Sequence, residues 1–189
     1  MLLALAHKDL EVESVWMDPA DRSLVRQASG QDRVPVLYDN GRIVVDSTVI
    51  LRYLEQRNPE PALFPADPAR RAELDVFLDW FNRVWKRPPN EIAAELGQAV
   101  ADTGRIRELG AEMTASLDLF EALLAGRDHL FGEFSAADCA AFPFLKYALL
   151  WDEGDEELFH EILRDYLPLG DGHLRVEAWI RRVDERPRA

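Results

Sequence analysis

The chain has almost no cysteine. A single thiol, Cys139, in 189 residues excludes an internal disulfide framework and a cysteine-based metal cluster, and it fits a reducing compartment. Long apolar runs are missing as well, since no unbroken stretch of about 18 apolar residues is present to span a bilayer. The opening "MLLALAHK" is too short for a secretory signal, has no basic start and is followed by no small-residue cleavage site. Positive charge is scarce, with 22 Lys and Arg against 35 Asp and Glu, a net charge of −13. Such a surface repels phosphate, which weighs against nucleic acid and anionic membranes and leaves small molecules and proteins as partners. The four histidines, His7, His129, His160 and His173, lie far apart without ligand spacing and give no support to a metal site. Together these absences predict a cytoplasmic protein.

What is present suffices for a packed core, because 48% of the residues are hydrophobic. Leu2 to Lys8 reads as a helix with no cap, turn or strand in front of it; Val12 to Trp16 reads as a strand and Ser23 to Ala28 as a short helix. In "VPVLYDNGRIVVDS", Val36 to Tyr38 and Arg42 to Val45 flank Asn40-Gly41, a pair that tolerates the positive φ angles of a tight turn and predicts an antiparallel hairpin. The next helix has Ser47 as its expected cap, Ile50, Tyr53 and Leu54 at helical spacing and Asn58-Pro59 as its stop. Residues 58 to 69 hold four of the eleven prolines, a density that marks a linker between a small α/β unit and an all-α unit.

Beyond the linker the pattern is helical. Asp67-Pro68 starts a helix with Leu74, Phe77, Leu78, Phe81, Val84 and Trp85 on one stripe, which Pro88-Pro89 ends. A second long helix carries Leu109, Met113, Leu117, Phe120 and Leu124 and stops at Gly126. Later helices carry Phe159, Ile162, Leu163 and Tyr166, then Val176, Trp179, Ile180 and Val183. In "FGEFSAADCAAFPFL", Ser135 and Asp138 have the spacing of a reciprocal capping box, with Phe134 and Cys139 as a hydrophobic staple. By spacing alone this is any capped helix. Cys139, on an apolar face with no basic neighbour in sequence, reads as core filler rather than a nucleophile.

Taken together, "RVPVLYDNGRIVVDSTVILRYLEQRNPEPALFP", "FSAADCAAFPFL" and the closing "HLRVEAWIRRVDERPRA" resemble the cytosolic glutathione S-transferase family of bacterial type. The resemblance implies a thioredoxin-like α/β domain over residues 1–62, followed over 68–189 by an all-α bundle of five or six helices. It implies glutathione as co-substrate, a small electrophile as second substrate, and a homodimer joined across the helix after Ser47 and the first helix of the second domain. Val34-Pro35 looks like the family's dipeptide with a cis-proline, which frees the Val34 amide and carbonyl to pair with the cysteinyl backbone of the tripeptide. Asp46-Ser47 resembles the family's acidic-Ser pair. There the Ser47 hydroxyl and amide would hold the γ-glutamyl carboxylate, and Asp46, one methylene shorter than the usual Glu, would pair with the ammonium. Arg33 falls where relatives often carry Lys and faces either the glycyl end or solvent. Trp80, Trp85 and Tyr147 are candidates for lining the electrophile pocket or for plain core.

Relatives activate the glutathione thiol with a Tyr, Ser or Cys at the end of the first strand or the start of the first helix. "MLLALAHKDLEVE" resembles the middle of that helix, so the resemblance implies that the first strand and the activating residue are missing and that this chain contributes no catalytic residue of its own. Three readings follow from it: a shortened form of a longer protein, a gap filled by another segment or subunit, or a non-catalytic glutathione S-transferase-like module for binding or assembly.

Overall fold

The computed structural model describes residues 1–15, 17–18 and 21–189. Two compact units are present: unit 1 comprises Met1–Pro65 together with Arg186–Ala189, and unit 2 comprises Ala66–Glu185.

Unit 1 runs α1 (Leu2–His7), α2 (Ser23–Ser29), β1 (Val36–Asp39), β2 (Arg42–Val45) and α3 (Ser47–Arg57). The hairpin forms as the Asn40-Gly41 pair predicts: both residues take positive φ, 47° and 89°, and β1 pairs antiparallel with β2 from Val36↔Val45 to Asp39↔Arg42. Alternation across this ladder puts Leu37 and Val44 on one face and Val36, Tyr38, Ile43 and Val45 on the other. Val44 is buried, whereas Tyr38 and Ile43 are exposed. The core consists of Leu3 and Leu5 from α1, Val25 from α2, Val44, and Ile50, Leu51 and Leu54 from α3, with Leu63 and Phe64.

The strand expected over Val12 to Trp16 does not form across residues 12–15, and Trp16 lies outside the described residues. Strand propensity is realised only against a neighbouring strand, and among the described residues the sheet holds only β1 and β2. The proline-rich segment after α3 is also less free than its composition suggests. The Lys8 ammonium donates to Glu55 (2.6 Å) and to the carbonyls of Asn58 (2.6 Å) and Pro61 (2.8 Å), while the Glu55 carboxylate accepts from the amides of Leu63 and Phe64. The Lys8 side chain is fully buried in this arrangement.

Unit 2 runs α4 (Pro68–Trp80), a π-helical turn Phe81–Trp85, α5 (Arg87–Leu96), α6 (Thr103–Leu123), α7 (Ala136–Leu145), a 3-10 turn Lys146–Ala148, α8 (Leu158–Tyr166) and α9 (Leu174–Asp184). Pro88-Pro89, expected to close a helix, instead stands in the first turn of α5. Proline lacks the N–H that a first-turn residue does not need, so a proline pair is compatible with a start as well as a stop. The Lys86 amide reaches back to the Phe81 carbonyl (3.0 Å), and the extra residue of this turn stacks the Phe81 and Trp85 rings at 4.6 Å. Trp85 is core, its indole N–H donating to Ser116 Oγ. Gly110 of α6 lets Tyr166 of α8 come close: a Cβ there would stand 2.3 Å from the Tyr166 ring. Among the described residues no helix is long and apolar enough to cross a membrane.

The capping box of α7 is present and does more than cap. Asp138 is fully buried; its Oδ2 accepts from the Ser135 amide (2.9 Å) and hydroxyl (3.0 Å), while Oδ1 accepts from the Trp179 indole N–H of α9 (2.8 Å) and the Leu130 amide (3.2 Å). One carboxylate therefore joins α7, α9 and the turn before α7.

Two substitutions test these anchors by urea unfolding. Asp138→Ala leaves four buried donors without their acceptor and lowers stability by about 3 kcal/mol or more. Lys8→Met leaves the Glu55 carboxylate without its counter-ion and two carbonyls without their donor, and it lowers stability by about 3 kcal/mol.

Candidate functional site

The candidate site is assembled at the open end of the β1–β2 hairpin. Val36↔Val45 is the last pair of the ladder, so Pro35, just before β1, and Asp46, just after β2, flank the same end of the hairpin. Of the five residues singled out in sequence, Arg33, Val34 and Pro35 lie in the segment that leads into β1, while Asp46 follows β2 and Ser47 is the first residue of α3.

The peptide bond between Val34 and Pro35 is cis, and Val34 is exposed. The approach to it is fixed by a residue the sequence reading passed over. The Gln31 side-chain amide donates to the Arg33 carbonyl (2.6 Å) and its oxygen accepts from the Arg33 amide (2.5 Å), so one side chain holds both backbone groups of Arg33. The only signal for this in sequence is a polar amide two residues upstream, a spacing at which such side chains bond the local backbone. The Arg33 guanidinium is exposed and has no ion-pair partner among the described residues.

On the outgoing strand the cap of α3 is Asp46 and not Ser47. Asp46 Oδ1 accepts from the amides of Thr48 (2.9 Å) and Val49 (3.1 Å), and the Asp46 carbonyl opens the helix by accepting from Ile50. The misplacement has a simple cause: Asp and Ser cap about equally well, and adjacent candidates are told apart only by which one keeps non-helical dihedrals. Asp46 has φ 73° and ψ 128°, a left-handed backbone costing of order 1–3 kcal/mol in a residue that is not glycine. Such outliers persist where the surroundings over-determine them, and they cluster at sites of function.

This geometry leaves the first amide of α3 open. Asp46 satisfies Thr48 and Val49, so the Ser47 N–H and O–H remain without an intrachain acceptor among the described residues, on a half-buried residue at the positive end of an 11-residue helix. Asp46 is exposed, and its second oxygen, Oδ2, has no bond among the described residues. The arrangement presents two donors for a carboxylate, one carboxylate oxygen for a cation, a backbone edge at Val34 and a guanidinium at Arg33: a set suited to a short zwitterionic peptide. Among the described residues no three His, Cys, Asp or Glu side chains come together as they would to share a metal ion.

The three aromatic residues named above lie in unit 2. Trp85 and Tyr147 are buried and Trp80 is half-buried; Tyr147 stacks on His160 at 4.3 Å, and burial, with the carboxylates of Asp155 and Glu157, raises its hydroxyl well above the usual tyrosine range. No proton-transfer role at neutral pH follows for such a hydroxyl.

Comparison with known proteins bears on both units. Residues 1–62 match the model of the glutathione S-transferase N-terminal domain, and residues 103–182 match that of the C-terminal domain. Protein LigF of Sphingobium sp. is 39% identical over 85 residues, a stretch that covers 42% of this chain and only 33% of that protein. The crystal structure of the beta-etherase LigF superposes with a TM-score of 0.81 at 23% identity, covering 98% of this chain and 89% of that one. FtsZ-localized protein A of Caulobacter vibrioides is 28% identical over 156 residues, 76% of this chain and 68% of that protein. A glutathione S-transferase from Rhodospirillum rubrum superposes with a TM-score of 0.72 at 26% identity, covering 98% of this chain and 81% of that one. With both of its characteristic domains matched in order, and with the thioredoxin-like and helical units they imply, the chain belongs to the glutathione S-transferase family.

Proposed function

We propose that this chain binds glutathione on unit 1 and presents the thiolate to a small electrophile. What carries the reading is the open N–H and O–H of Ser47 at the start of α3, together with the cis Val34-Pro35 bond that leads into β1 at the same end of the hairpin. The γ-glutamyl carboxylate takes the two Ser47 donors, where the helix end favours an anion. Its ammonium pairs with Asp46 Oδ2. The cysteinyl N–H and C=O pair with the Val34 backbone as an added strand, and Arg33 faces the glycyl carboxylate. In the reaction the thiol loses its proton and its sulfur forms a new bond to the electrophilic carbon; the electron pair of the broken bond leaves with the departing group or, in an addition, takes up a proton.

A second reading is favoured by one observation: a similar protein, FtsZ-localized protein A, is named for where it localises and not for a reaction. On this reading the chain is a non-catalytic module for binding or assembly. Retention on glutathione-agarose with turnover of an aromatic electrophile supports the enzyme; retention without turnover supports the module. No retention contradicts both.

Two measurements follow. Ser47→Ala removes one charge-assisted hydrogen bond and keeps the amide, and it weakens glutathione binding about tenfold or more by calorimetry, with the thermal midpoint nearly unchanged. For the quaternary state, Val49 on α3 and Val76 on α4 are large apolar residues exposed on otherwise well-packed helices, which supports the homodimer that the family resemblance implies. Light scattering at micromolar concentration is expected to give the mass of two chains; the mass of one chain contradicts the dimer.

A further inference from the structure

His7, in the last turn of α1, is held between two groups of opposite hydrogen-bonding character. Its Nε2 lies 3.1 Å from the Ala62 carbonyl, and its Nδ1 lies 3.2 Å from Nη2 of Arg186, the first residue of the C-terminal segment that belongs to unit 1. A guanidinium only donates, so Nδ1 must accept, and a carbonyl only accepts, so Nε2 must carry the proton. The pair of contacts therefore selects one neutral tautomer. A second proton, on Nδ1, would turn an acceptor into a donor facing a donor and set two cations against each other.

A second anchor ties the segment to α1: the Ala189 amide donates to the Leu2 carbonyl at 3.3 Å. Its docking is thus tied to the protonation state of His7, because the contact with Arg186 is a hydrogen bond only while Nδ1 carries no proton.

We propose that residues 186–189 form a proton-sensitive strap, docked on α1 while His7 is neutral and released when His7 is protonated. Charged groups from three segments act on the His7 ring. Arg186 from the strap and Lys8 from α1 both oppose a positive imidazole, while Glu55 from α3 favours it. The Glu55 carboxylate is bonded to Lys8 at 2.6 Å, which draws its charge toward the ammonium. Burial is the largest effect and acts with the two cations to hold His7 below its usual range. A group whose docked pKa is depressed contributes docking stability that is complete above the pKa of the released state, about 6.5, and is lost as pH falls through the docked value.

The test is amide hydrogen exchange of residues 188 and 189 in the full chain at about pH 7.5 and about pH 5.5, corrected for intrinsic exchange. Opening of the strap should increase toward the lower pH by up to roughly tenfold for each unit separating the released and docked pKa values, while amides of α6 stay protected. His7→Gln keeps a donor and an acceptor but does not titrate, so its strap opening should be the same at both pH values. Arg186→Gln should also lose the dependence, because its amide can turn its oxygen toward a protonated ring. Equal opening at both pH values in the unmodified chain overturns the proposal, as does an undiminished dependence in His7→Gln.

Discussion

The Lys8 ammonium is fully excluded from solvent, and its three bonds join α1 to α3 and to the segment after α3. The rest of unit 1 depends on it. A buried cation is tolerable only when its donors are all used, and here a carboxylate and two carbonyls use them. Glu55 passes the constraint on by accepting from the amides of Leu63 and Phe64, so the segment that looks like a loose linker in composition is pinned at both of its buried residues. Glu55 lies on the helix whose first turn carries Asp46 and Ser47. What holds the far end of α3 therefore also fixes the near end, where the proposed ligand sits.

That near end stands out in an acidic protein. The chain carries a net charge of −13, yet its candidate site gathers Arg33, the positive end of α3 and two open donors of Ser47. The Asp46 carboxylate is divided between tasks: Oδ1 caps the helix, and Oδ2 is open for a cation. A dianionic ligand would meet it unfavourably, whereas a ligand with an ammonium beside its carboxylate matches both halves. Glutathione has that arrangement at its γ-glutamyl end.

Much of this was legible in the sequence, where signals were local. Asn40-Gly41 specifies its hairpin because few residues tolerate two consecutive positive φ angles. Ser135 and Asp138 specify their box by spacing. The failures came where a local signal has two meanings or where the decisive partner is remote. Pro88-Pro89 fits a stop and a start equally, and α5 was hidden behind it. Asp46 and Ser47 are both good caps, and only the positive φ of Asp46 separates them. Val12 to Val15 has strand propensity but no strand beside it among the described residues. Lys8 reads as an ordinary surface lysine, because Glu55 and the carbonyls that bury it lie about fifty residues away.

The central claim is that the amide of Ser47 and the backbone of Val34 are the contact points for glutathione. It is tested most directly by titrating the isotope-labelled chain with glutathione and following its amide resonances. The largest shifts are expected at Ser47, Val34 and Arg33, with the amides of Thr48 and Val49 moving little because Asp46 already holds them. Shifts confined to unit 2, or none at saturating glutathione, would contradict it.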